Sequence, residues 1–99
     1  MKRGTTPTLI FDLPFDTSMI TEAWVTVAQG GENVIDKTTV DCVFEGTSIS
    51  VKLTQAETLA LNSSTRTEIQ LRVRTVDGEA LASDIFTENA ERILKDGEI

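Results

Sequence analysis

Thr67-Glu-Ile-Gln-Leu-Arg-Val-Arg-Thr-Val-Asp-Gly-Glu-Ala-Leu81 is the stretch on which the fold of this chain turns. Ile69, Leu71 and Val73 fall on one face of an extended backbone, and Glu68, Gln70, Arg72 and Arg74 fall on the other. That period-2 alternation predicts a strand with one face buried and one wet. Asp77-Gly78 supplies residues that tolerate positive φ in a tight turn, and a second β-prone run from Ala80 to Phe86 completes a hairpin.

Toward the N-terminus, Ser48-Ile-Ser-Val-Lys-Leu53 alternates in the same way, with Ile49, Val51 and Leu53 inward. Thr54-Gln-Ala-Glu57 matches the capping box, in which Thr caps a helix start and Glu reaches back. It predicts a helical turn over Gln55–Leu59 that sets Leu59 or Leu61 over the end of the core. Asn62 to Thr65 is a polar loop. Met19 to Gln29 forms another strand region, with Ala23, Val25 and Val27 inward and Trp24, Thr26 and Ala28 outward. Gly30-Gly31 turns the chain into a return strand over Asn33 to Thr39, in which a regular strand permits only one of Val34 and Ile35 to point inward.

Val40 to Phe44 is expected to form a short strand, followed by a turn at Glu45-Gly46-Thr47. Thr8 to Leu13 is a first strand bounded by Pro7 and Pro14, with Leu9, Phe11 and Leu13 on one face. Ile10 keeps its other face from being fully polar. Residues 1–6 read as a loose lead-in. At the far end, Phe86, Ala90, Ile93 and Leu94 recur at helical spacing, and Gly97 suits a C-terminal cap. The hairpin argues instead for strand from about Ala80 to Asn89, followed by a short helical or irregular tail over 91–99. About seven short strands separated by turns predict one all-β domain over residues 1–99, an antiparallel sandwich with a small barrel as the alternative.

Ninety-nine residues suffice for one modest core. The formal charge of −7 is shared by both halves, and no Lys/Arg run is present to neutralise a phosphate backbone. Nucleic acid and anionic membrane surfaces are therefore disfavoured as partners. No apolar run approaches the roughly 18 residues of a membrane span, and the N-terminus lacks a signal-peptide core. The expected location is the cytoplasm in which the chain is made. Cys42 stands alone, so no internal disulfide or cysteine-based metal site is expected. Its apolar neighbours suit a small buried hydrophobe better than a reactive thiol.

The chain contains no His, which removes the commonest general base, the Ser-His and Cys-His nucleophile systems and the commonest transition-metal ligand. Asp12 with Asp16 and Asp77 with Glu79 are the available carboxylate pairs, at strand ends and turns where such residues serve turn geometry. No calcium-loop pattern is present. The expectation is a non-enzyme without catalytic residues, metal, cofactor or small-molecule substrate. Three residues stand out for partner binding. Trp24 lies on an outward face, as a contact anchor or covered by the first strand or the tail. Arg72 and Arg74 occupy the wet face of the central strand, to pair with acids on neighbouring strands or to meet a partner.

Taken as a whole, the chain resembles short proteins encoded in prophages and related mobile elements of Gram-positive gut bacteria. The shared pieces are Arg3-Gly-Thr-Thr-Pro-Thr8, Leu13-Pro-Phe-Asp16, Val25-Thr-Val-Ala-Gln29, Ile49-Ser-Val-Lys-Leu-Thr-Gln55, Ile69-Gln-Leu-Arg-Val-Arg-Thr75 and Ala80-Leu-Ala-Ser-Asp-Ile85. They cover nearly the full length, although they are structural rather than catalytic. The layout of elements is similar to the immunoglobulin-like N-terminal domain of phage upper baseplate proteins, without their long C-terminal extension. The resemblance implies an immunoglobulin-like sandwich acting as a virion or virion-assembly component of tail, baseplate or capsid through protein–protein contacts. The alternative is a small binding module for a host surface molecule or carbohydrate, disfavoured by a single Trp and no Tyr.

Overall fold

The computed structural model describes residues 1–99. Eight strands run in the order β1 (Thr8–Asp12), β2 (Ile20–Gln29), β3 (Glu32–Lys37), β4 (Cys42–Glu45), β5 (Ser48–Lys52), β6 (Arg66–Thr75), β7 (Ala80–Ala82) and β8 (Phe86–Asn89). One helix, α1 (Gln55–Leu59), crosses between the sheets after β5. The smaller sheet has the order β1-β5-β4. The larger has β3-β2-β6, with β7 and β8 sharing the remaining edge of β6. All strand pairs in both sheets are antiparallel. This is the immunoglobulin-type order, B-E-D against C′-C-F-G, with no strand in the place of A.

The long β2–β6 pair sets the rest. Val25 stands opposite Leu71 and Val27 opposite Ile69, so the inward residues of both strands form one apolar face. Ala23, Val25, Val27, Ile69, Leu71 and Val73 are all buried. Ile49, Val51 and Leu53 from the β5 segment and Phe11 from β1 supply the facing layer, and Leu61 closes one end. Full burial of each such side chain contributes about 1.5–3 kcal/mol, which makes this layer the main source of stability. The Thr54 hydroxyl accepts the Glu57 N–H at 3.1 Å and the Glu57 carboxylate accepts the Thr54 N–H at 2.8 Å, so the expected capping box is formed.

Several expectations are corrected. The conflict between Val34 and Ile35 is resolved by a bulge: Val27 pairs with Ile35 and Ala28 with Asn33, leaving Val34 as the extra residue. Ile35 is buried and Val34 half-buried beside it. Val40 is not in a strand, because Thr39–Asp41 forms a 3-10 turn that carries the chain between sheets and leaves Val40 91% exposed. In the β6–β7 hairpin only Gly78 takes positive φ, at 84°, and Asp77 does not.

The single strand expected from Ala80 to Asn89 is divided. The Ser83 hydroxyl accepts the Leu71 N–H at 3.0 Å in place of a backbone carbonyl, and Ser83 N–H donates to Leu71 O at 2.8 Å. Regular pairing resumes only at Phe86, opposite Ile69. The tail after β8 forms no helix, and Gly97 caps nothing. Phe86 to Asn89 use their backbone groups in the ladder with β6, and the few residues left fall short of the length at which an isolated helix is stable.

The lead-in is not loose. The N-terminal amine contacts the Glu88 carboxylate at 2.7 Å, and Lys2 Nζ lies 3.1 Å from Glu91. The Arg3 guanidinium donates to the carbonyls of Leu59 (2.8 Å), the last residue of α1, and Leu61 (2.7 Å), just past it, and to Asp96 (3.0 Å). A cation satisfying otherwise unpaired carbonyls at a helix end is favourable. Gly4 has φ 70°, a conformation that other residues rarely adopt, and a Cβ there would press on Ile93 Cδ1 at 3.0 Å and Leu59 Cδ2 at 3.2 Å where lead-in and tail cross.

Candidate functional site

The three residues singled out for partner binding come together. Trp24 of β2 pairs with Arg72 of β6, and Glu22 with Arg74, which places these side chains on the outward face of the large sheet. On the other side of β6, Arg72 pairs with Ala82 and Arg74 with Ala80. Alternation puts both alanines on that same face, and their small side chains leave the arginines standing above a shallow floor. The result is an open hollow of about 150 Å³ lined by Glu22, Trp24, Arg72, Val73, Arg74 and Ala80.

Trp24 is covered by neither the first strand nor the tail. It is 50% exposed. The Arg72 guanidinium carbon sits 5.6 Å from the centre of its ring, a cation–π arrangement worth about 0.5–1 kcal/mol at an exposed position. The expected pairing of the arginines with neighbouring acids is not found. Neither Arg72 nor Arg74 has a carboxylate within 4.0 Å, although Glu22 stands opposite Arg74 in the ladder. The reach of both side chains is spent elsewhere: Arg72 lies over the indole, and the Arg74 guanidinium extends toward the hairpin at Gly78.

Of the carboxylates considered for chemistry, those of Asp12, Asp16 and Asp41 are held in local hydrogen bonds. Asp16 caps a 3-10 turn by accepting the Ser18 N–H at 2.8 Å, and that hydrogen bond holds its carboxyl below the usual range. Asp12 accepts the Ser48 hydroxyl at 2.9 Å across the β1–β5 pair. Asp41 accepts the Thr38 N–H at 2.9 Å. Asp77 and Glu79 lie in the β6–β7 hairpin, where Glu79 N–H donates to the Thr75 hydroxyl at 3.1 Å. Cys42 is half-buried against the core, and its thiol donates to Thr38 O at 3.4 Å. Burial first, and then the neighbouring Asp41 charge, push its pKa up against the opposing pull of Lys37. Such a thiol is a poor nucleophile.

Two features were not singled out from the sequence. A groove of about 460 Å³ runs along β1 and faces Ile69, Leu71 and Phe86 across the seam between the sheets. Its one sequence signal was Ile10, the apolar residue on the wrong side of the β1 alternation. Gln29 is buried, and its amide donates to Asn62 O, Thr65 O and the Thr67 hydroxyl while its carbonyl accepts the Asn62 N–H. It holds the Asn62–Thr65 loop in place, a role without a spacing signature.

By fold and site together, the chain is a small antiparallel β-sandwich that presents an aromatic–arginine patch on one sheet. Comparison with protein-family models, with curated proteins and with solved structures finds no match. No helix is long and apolar enough to cross a membrane.

Proposed function

We propose that the chain is a non-enzymatic structural or accessory protein of a phage or prophage, acting through protein–protein contacts in a tail, baseplate or capsid assembly. The observation that carries this is the outward patch of Trp24, Arg72 and Arg74, with both guanidinium groups lacking a carboxylate partner. Trp and Arg are the side chains most enriched where interface energy concentrates. On a chain of net charge −7, two unpaired cations around an exposed indole favour a carboxylate-bearing protein surface as the partner. The virion setting is supported by the resemblance to prophage-encoded proteins.

The test uses particles assembled by a phage that carries this chain. The chain is expected in purified particles at fixed stoichiometry. Trp24→Ala and Arg74→Glu variants, each replacing an exposed side chain, should be lost from particles while their melting temperatures stay near that of the unaltered chain. Truncating a hot-spot residue costs about 2 kcal/mol or more, some thirtyfold in affinity. Absence from particles, together with retention on a glycan array that Trp24→Ala abolishes, would replace this function with surface-sugar recognition.

A further inference from the structure

We propose that β1 pairs with the β1 of a second copy of the chain, antiparallel across a two-fold axis at Ile10. This sets a strand beside β1 in each small sheet, at the place of the immunoglobulin-type order that no strand of residues 1–99 occupies.

The backbone of β1 is free along its outer edge. Leu53 N–H donates to Pro7 O at 2.9 Å, and Leu13 N–H donates to Thr47 O at 2.8 Å, at the two ends of the β1–β5 ladder. Residues of an antiparallel strand alternate in the direction of their backbone groups, so Leu9 and Phe11 also aim theirs at β5. Thr8, Ile10 and Asp12 therefore aim their N–H and C=O groups outward, where they find no partner within the chain. The lead-in does not fold back to cover them. It crosses to the large sheet, where Lys2 bridges in parallel to Glu91 and the N-terminal amine is held by Glu88.

The other edges carry the devices that discourage strand addition. β3 has the Val34 bulge together with Glu32, Asp36 and Lys37. β7 is three residues long, and β8 is short and flanked by the lead-in. β4 is four residues long and ends on Glu45. β1 carries only one of these, the charge of its terminal Asp12: it has no bulge, Leu9, Ile10 and Phe11 are consecutive, and Ile10 is 66% exposed.

Self-complementarity identifies the occupant. With the axis at Ile10, each Ile10 meets the other, and Thr8 meets Asp12 of the second copy. Every outward-facing residue then stands opposite an outward-facing residue, the arrangement in which both ladder bonds form. The sole carboxylate of the strand faces a hydroxyl rather than another carboxylate. Leu9 faces Phe11 of the second copy on the inner side, in the closely spaced type of pair, beside the apolar groove that contains Phe86. Moving the axis to Phe11 sets Thr8 against Pro14, which has no N–H. Moving it to Leu9 sets Asp12 against Thr6, outside the strand. Each copy carries −7, so salt should strengthen the association by screening.

The test is the mass of the full chain by light scattering at low and high salt, together with hydrogen exchange of the Thr8, Ile10 and Asp12 amides. The expected result is a dimer favoured by salt, with those three amides slowed as the dimer forms. Ile10→Lys places like charges opposite one another across the axis and should give a monomer with fast exchange at all three. Val43→Lys, at an exposed position on the other edge strand of the same sheet, should remain dimeric. A monomer at the highest concentration overturns the inference, as does a dimer whose three amides exchange freely or one that survives Ile10→Lys. The exchange measurement on the unaltered chain needs no variant to fold. The inference is independent of the Trp24 patch, since that patch lies on the outer face of the other sheet, and failure of either leaves the other standing.

Discussion

On one long side of the sandwich β3 runs into β4 through the Thr38–Asp41 turn, so the chain itself ties the large sheet to the small one. The polar groups there are matched: the Thr39 hydroxyl accepts the Ala23 N–H at 3.0 Å, and Lys37 Nζ lies 2.8 Å from Glu57. On the opposite side β1 and the β7–β8 edge belong to different sheets with no short connection between them. That side is held by Phe11 against Phe86, with ring centres 6.2 Å apart, and by the N-terminal amine on Glu88. A groove of about 460 Å³ remains. A side closed by the chain satisfies its own polar groups, whereas a side closed by packing and a terminal ion pair leaves apolar surface and an unpaired edge for a partner.

If the open side depends on packing, Phe11→Ala should have the largest effect. Truncating a buried phenylalanine costs about 3–5 kcal/mol, a large part of the roughly 5–15 kcal/mol typical of a whole domain. Urea unfolding with a loss under about 1 kcal/mol would mean that Phe11 does not hold this side. Thr39→Val probes the chain-closed side with little change in shape. It leaves the Ala23 N–H, on a fully buried residue, without its acceptor, for an expected loss of about 1–3 kcal/mol. No measurable change would show that the turn closes the side without that hydroxyl.

Acid should act on both sides. At Glu57 burial raises the pKa, but the hydrogen bond and charge of Lys37 and the Thr54 N–H outweigh it and hold the carboxyl below its ordinary value. At Glu91 the Lys2 ammonium, through its hydrogen bond and charge, does the same with little opposition from burial. A folded-state pKa below the unfolded one gives stability that is present above the unfolded value and lost as pH falls through the folded one. Melting temperature should therefore hold near neutrality and decline below about pH 4. Glu57→Gln should flatten part of that decline more than Glu91→Gln, since Glu57 is the less exposed of the two in its ion pair. An acid limb identical in all three proteins would remove these carboxylates from the account.

Much of the fold was legible because its signals are local. The alternation of Ile69, Leu71 and Val73, that of Ile49, Val51 and Leu53, and the Thr54/Glu57 box each lie within one element. The errors fall where local preference met a long-range demand. The strand expected unbroken from Ala80 to Asn89 is divided because the Ser83 hydroxyl, not a backbone carbonyl, takes the Leu71 N–H of β6. Val40 left its strand because the chain had to change sheets within the Thr38–Asp41 turn. Of the candidate patch, the outward direction of Trp24, Arg72 and Arg74 followed from alternation, but not their meeting, which depends on the β2–β6 register.

The sequence by itself determined most of the strands, the buried faces of the long ones, the helix cap and the exclusion of histidine chemistry, because these follow from residue type and spacing of two to four positions. Tertiary structure alone decided that Trp24 lies under Arg72, that Val34 bulges and that Arg3 is held at the carbonyls at the end of α1. It also decided that β1 has no neighbour on its outer side. These depend on which segments distant in the chain lie side by side, and strand register is set by the packing of a whole face rather than by any one stretch.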